Sequence, residues 1–194
     1  MKQDTIFEDA YIIDLSVCNN RFDNLCNIYT LDNIDDTNSD LNTKIKDLLV
    51  IAIIDEQLAE LNYLISYNLS RSEGKSDFDP EFEQHENDER EHKYKLIERL
   101  RELDSDIIFT AIEKWQELNS RGTDWKQETL VDSGEILKNR LKEEEEAVEF
   151  YTLATNFLRA TSDTTTYTLF KQIKEDEEEH VKDLRDLARE YDLI

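Results

Sequence analysis

Apolar residues recur every three or four positions in four stretches of the chain, which predicts four amphipathic helices. The first runs from about Asn42 to Ser70, with Leu49, Ile53, Tyr63 and Tyr67 on or near one stripe. Glu56 interrupts that apolar face rather than extending a polar one. A carboxylate buried alone is costly and neutralises or finds a partner, and a metal ion is one such partner. The linker Ser70–Asp79 contains Gly74. The second helix then starts at Asp79, read as the N-cap, with Pro80 in the first helical position and Glu81 favouring the helix dipole. Its inward stripe is Phe82, His85, Glu89, His92, Leu96, Leu100 and Leu103. The third helix spans about Glu135–Ala160, with Leu137, Leu141, Val148, Tyr151 and Leu158 at heptad spacing. Glu144 fills the inward position between Leu141 and Val148, so it is singled out of the otherwise solvated run Glu143–Glu146. After a polar turn at Thr161–Asp163, a fourth helix points Phe170, Ile173, Glu177, His180 and Leu184 inward.

Two segments lie outside this pattern. Residues 104–132 form a long connection in which Ile108, Ala111, Ile112, Trp115 and Leu118 predict a short amphipathic helix, with Trp115 and Trp125 packing it onto the rest. Residues 1–40 form an extension of unknown structure. Tyr11–Ile13 with Leu15 reads as a short strand or a buried helical turn, and Asp32–Asp40 as a linker. A core of residues 41–194 with an extension at 1–40 is the domain organisation expected.

The second and fourth helices carry near-copies of one motif. Asp88-Glu89-Arg90-Glu91-His92 and Asp176-Glu177-Glu178-Glu179-His180 each contain Glu-x-x-His, which puts a carboxylate and an imidazole on the same helical face. The chain has three histidines, and two sit in these copies. The offset of 88 residues also relates Glu56 to Glu144, Tyr63 to Tyr151, Ala59 to Ala147, Asn68 to Asn156, Phe82 to Phe170 and Leu96 to Leu184. The chain therefore repeats one helical hairpin, which supplies a lone Glu from its first helix and Glu-x-x-His from its second.

Composition narrows the functional classes. With 194 residues, one proline, three glycines and much Glu, Lys and Leu, the chain reads as all-α. A net charge of −24 repels nucleic acid and anionic membrane and attracts cations. Two cysteines, Cys18 and Cys26, are too few for a disulfide scaffold and read as free thiols. No apolar run reaches the ~20 residues that span a bilayer, and the N-terminus lacks the pattern of a signal peptide, so a cytoplasmic location is expected.

A Glu from each of two helices with Glu-x-x-His from each of the other two is the ligand set of di-iron and di-manganese carboxylate bundles. On these residues the chain resembles the ferritin-like superfamily over residues 41–194, with bacterioferritin the nearest relative. The resemblance implies a ferritin-like four-helix bundle whose long crossover is segment 104–132. It implies two metal ions held by Glu56, Glu89, His92, Glu144, Glu177 and His180, with Glu89 and Glu177 bridging and Glu56 and Glu144 terminal. Iron or manganese suits such donors, and zinc also fits. Asp88 and Asp176 are candidate acceptors for the imidazole N–H groups, or ordinary surface acids. Tyr63 matches a tyrosine often found near the di-iron centre of bacterioferritins, and is either an electron donor or a core residue. His85 is either an auxiliary iron ligand or a half-exposed histidine at the bundle end.

The activity so implied is a ferroxidase that oxidises Fe(II) with dioxygen or peroxide, for storage or detoxification, in a homo-oligomer. Bacterioferritin carries a haem-binding methionine directly after the second-helix glutamate. Arg90 stands there, so no haem is expected. The chain also ends soon after the fourth helix, without the short fifth helix of the 24-subunit cages. A rubrerythrin-like peroxide reductase is a second reading. That family usually carries a four-cysteine iron site and a further glutamate where Ala147 stands. Another di-metal oxidoreductase, or a metal-stabilised interaction module without activity, completes the alternatives.

Overall fold

Four amphipathic stripes become four helices because each can bury its apolar face only against the others. The structure, a computed structural model, describes residues 41–72, 76–104 and 133–194. Helix α1 spans Leu41–Ser72, α2 Asp79–Leu103, α3 Ser133–Arg159 and α4 Thr164–Glu190, with a short 3-10 helix at Ser76–Phe78 before α2. The expected extension 1–40, with Cys18 and Cys26, and the predicted crossover helix with both tryptophans lie outside the described residues. Among the described residues no helix is long and apolar enough to cross a membrane.

The helices pack as two hairpins, α1 with α2 and α3 with α4. The hairpins meet mainly through α1 against α3 and α2 against α4. The first hairpin is closed differently from expectation. Asp79 does not cap α2. Phe78 occupies the cap position without a side-chain bond, and Asp79 is already helical. Its carboxylate is drawn instead to α1, accepting from Ser70 Oγ at 2.6 Å and lying 3.6 Å from Arg71 Nε. The second hairpin turns at a true cap: Asp163 accepts from the Thr166 N–H at 2.9 Å and from Thr166 Oγ1 at 2.6 Å. Arg99 of α2 clamps that same cap with both terminal contacts at 2.9 Å, tying the hairpins together at one end.

The core is divided in two. One apolar cluster gathers Leu49, Ile53, Leu96, Leu100, Tyr151, Leu158, Phe170 and Ile173, and the other gathers Tyr63, Phe78, Phe82, Leu137, Leu141 and Leu184. Each cluster takes one tyrosine of the repeated pair. The buried polar residues Glu56, Glu89, His92, Glu144, Glu177 and His180 form the layer between them. Val148 is only half-buried, and Ala147 faces the interior in its place.

Candidate metal centre

Helix periodicity puts each Glu-x-x-His pair on one face, and the bundle turns all four inner faces to one point. Glu56 from α1, Glu89 and His92 from α2, Glu144 from α3, and Glu177 and His180 from α4 are each at most 3% exposed. Their donor atoms fall into two groups. Glu56, Glu89, His92 and Glu177 converge within 4.8 Å of one another, and so do Glu89, Glu144, Glu177 and His180. Glu89 and Glu177 belong to both.

The distances carry the twofold logic of the repeat. His92 Nδ1 faces Glu177 Oε1 at 3.2 Å, Glu56 Oε2 at 3.3 Å and Glu89 Oε2 at 3.6 Å. His180 Nδ1 faces Glu177 Oε2 at 3.2 Å, Glu89 Oε1 at 3.6 Å and Glu144 Oε2 at 3.8 Å. The outer nitrogens cross between hairpins. His92 Nε2 lies 3.1 Å from Asp176 Oδ2, and His180 Nε2 lies 3.4 Å from Asp88 Oδ2. The tyrosines cross in the same way. Tyr63 donates to Glu144 Oε1 at 2.5 Å, and Tyr151 donates to Glu56 Oε1.

Burial without full pairing leaves its mark on the titration of these groups. Burial, reinforced by the Glu89 charge, pushes Glu56 up to about 8. Burial, with repulsion from Glu144, pushes Glu177 up to about 7. Burial works on Glu144 too, but donation from His180, Glu177 and Tyr63 outweighs it and holds that carboxyl below its ordinary range. Burial opposes the charged form of His92, yet the surrounding carboxylates, Asp176 first, raise it far above the usual imidazole range. His180 rises for the same reason, led by Asp88. The hydrogen bonds to these imidazoles lower Asp176 and Asp88 in turn. Protons thus occupy the cluster where cations would otherwise sit.

The residues fit a pair of metal ions on their own evidence. Glu56 Oε2, Glu89 Oε1 and His92 Nδ1 are buried and have no hydrogen-bond partner among the described residues. Buried polar atoms left so call for a partner, and a cation that displaces the cluster's protons is one. The donor set of carboxylate oxygen and imidazole nitrogen is that of iron, manganese or zinc. A cleft of about 130 Å³ opens between α2 and α4 over both imidazoles, with Asp88, Glu91, Asp176 and Glu179 among its walls. The side chains of Asp88 and Asp176 are 39% and 50% exposed, so solvent reaches the aspartates but not the glutamates beneath.

His85 departs from the half-exposed position expected of it. It is fully buried, stacked on His180 with ring centroids 4.0 Å apart, and its Nδ1 lies 3.0 Å from the Tyr63 hydroxyl. Its burial comes from α4, which the sequence of α2 alone does not reveal. Sequence reasoning also missed a second cluster, Glu81, His85 and Asp183. The available signal was Glu81 four residues before His85 and Asp183 three after His180. Arg90, at the position compared with the haem methionine, is tied to Glu60 at 2.9 Å and to Glu86. Glu146, expected in solvent, is buried and lies 3.5 Å from Lys142 Nζ.

A family model for the ferritin-like domain matches residues 46–194. No curated protein sequence matches the chain.

Proposed function

The chain belongs to the ferritin-like domain family, and from that premise we propose that it is a di-iron ferroxidase of the bacterioferritin kind. The observation that carries the reading is the pair of overlapping donor groups that share Glu89 and Glu177. Two Fe(II) ions bound by these residues would supply two electrons together. That matches the reduction of dioxygen to peroxide, or of hydrogen peroxide to water, each with uptake of two protons.

The protein's residues divide the work. The acidic cleft draws Fe(II) toward the centre. Glu56 and Glu144 act as terminal carboxylates, each oriented by a tyrosine hydroxyl from the opposite hairpin. Asp176 and Asp88 accept the Nε2–H of His92 and His180, which fixes the tautomer and leaves Nδ1 free to bind. The four glutamate carboxylates would balance two divalent cations, so the loaded site would be neutral. Apolar residues on both sides keep bulk water out. Manganese or zinc would be held by the same donors. We place the protein in the cytoplasm as a homo-oligomer, in keeping with a sequence that has only two cysteines and with the family's habit.

The test is stopped-flow Fe(II) oxidation in air by metal-free, full-length protein. Oxidation is expected to exceed the buffer rate and to fall to it in His92→Ala/His180→Ala. Wild-type protein oxidising no faster than buffer would overturn the reading and leave a metal-stabilised interaction module.

A further inference from the structure

We infer that Glu81, His85 and Asp183 form a separate, mononuclear site for a divalent first-row transition-metal cation. The donor atoms of the three lie within 4.8 Å of one another. The inference rests on how His85 is held rather than on the acids alone. Its ring is fully buried, and Nε2 has no hydrogen-bond partner among the described residues. Glu81 Oε1 comes within 3.2 Å of that nitrogen but not along a hydrogen-bond direction.

The tautomer follows from the neighbours. Tyr63 spends its hydroxyl proton on Glu144, so the 3.0 Å contact between Tyr63 and His85 requires a proton on Nδ1. Nε2 then carries a lone pair beside two carboxylates. One imidazole nitrogen with carboxylate oxygens suits Fe(II), Mn(II), Co(II) or Zn(II), whereas calcium and magnesium take oxygen ligands. The side chains of Glu81 and Asp183 are 29% and 27% exposed, which gives an ion access from solvent. Asp183 Oδ1 also accepts from Lys182 at 2.9 Å, on the exposed side. Three protein donors leave positions for water, so the ion exchanges readily.

The repeat supplies an internal control. At the offset of 88 residues, Glu81, His85 and Asp183 correspond to Leu169, Ile173 and Lys95. At the mirrored end Ile173 is core. The bundle therefore has no general packing need for this trio, although the residues of the paired centre recur in both halves. The new site joins the paired centre through one chain of hydrogen bonds, His85 to Tyr63 to Glu144, which Tyr151 lacks because Ile173 cannot donate.

The inference does not depend on iron oxidation at the paired centre. Equilibrium dialysis of the metal-free full chain against Co(II), in about 0.2 M salt to screen diffuse charge, counts the ions. Wild type is expected to retain three per chain, Glu81→Gln/Asp183→Asn two, and Glu89→Gln/Glu177→Gln one. His85→Ile, which installs the residue of the mirrored end, is expected to lose the same single ion as the Glu81→Gln/Asp183→Asn pair. Circular dichroism checks that each variant remains helical. Saturation at two ions in wild type, unchanged by Glu81→Gln/Asp183→Asn, would overturn the site and spare the paired centre. A protonated His85 merely paired with Glu81 gives that same result. Retention of one ion in wild type, lost in Glu81→Gln/Asp183→Asn, would support this site and count against the paired centre.

Discussion

Asp176 lies 3.1 Å from the Nε2 of His92 across the bundle, not beside a histidine of its own helix, and Asp88 answers it at His180. Each hairpin thus orients the imidazole of the other. Removing the acceptor frees the ring and lets the tautomer switch. Asp176→Asn is expected to weaken metal binding about 10–100-fold without unfolding the bundle. Competition with a chelator of known affinity measures it, and an unchanged affinity would reduce Asp176 to a surface acid.

Protons and metal ions compete for the same cluster, which gives the metal-free protein a particular pH dependence. Glu56 and Glu177 titrate near 8 and 7 when folded, against an ordinary 4.5. The folded state therefore binds more protons than the unfolded chain between those values. The stability this contributes is full below about 4.5 and is lost as pH rises through 7 to 8. His92 and His180, both raised, add a loss of the same sign above the ordinary imidazole range. Calorimetry is expected to show the metal-free Tm falling as pH rises from about 5 to about 8. A loss of about 2 kcal/mol corresponds to about 4–8 °C at this size. Metal-loaded protein should show a smaller fall, and its formation should release more than one proton per ion. A metal-free Tm that rises over that range would contradict these assignments.

Much of this is legible in the sequence, and the exceptions have a common cause. Glu144 stands out from a run of four glutamates because it alone fills the inward position between Leu141 and Val148, and the repeat selects it again. Periodicity reports which face of a helix turns inward, so the four stripes and their polar interruptions could be read. It does not report which neighbour covers the flanks of that face. Arg140, Glu146 and Lys93 are buried beside inward positions, where a second helix closes over them. The burial of His85 depends on His180 of α4, and the crossed Asp–His pairs join residues 84 or 92 positions apart. Asp79 reads as a cap from its neighbours in sequence, but Phe78 takes the cap position and the Asp79 carboxylate accepts from Ser70 of α1 instead.

Tyr63 and Tyr151 are equivalent in the repeat but not in surroundings, and the difference is testable. Both hydroxyls donate to a terminal carboxylate, and burial raises both phenols well above their ordinary range. Only Tyr63 also contacts His85. We predict that Tyr63 supplies an electron during oxidation while its proton passes to Glu144. Tyr63→Phe should abolish the tyrosyl radical signal in electron paramagnetic resonance and slow oxidation, with the paired ions still bound. Tyr151→Phe should retain the signal. Each substitution also removes a buried hydrogen bond to a carboxylate and should cost about 1.5–3 kcal/mol. A radical that survives Tyr63→Phe would move the donor elsewhere.

Two metal ions side by side on Glu89 and Glu177 should be visible to X-ray absorption of the iron-loaded protein. An iron–iron distance of about 3.5–4 Å, within a shell of oxygen and nitrogen donors, is expected in wild type and should disappear in Glu89→Ala. Bound iron with no iron–iron distance in wild type, and a spectrum unchanged by Glu89→Ala, would contradict it.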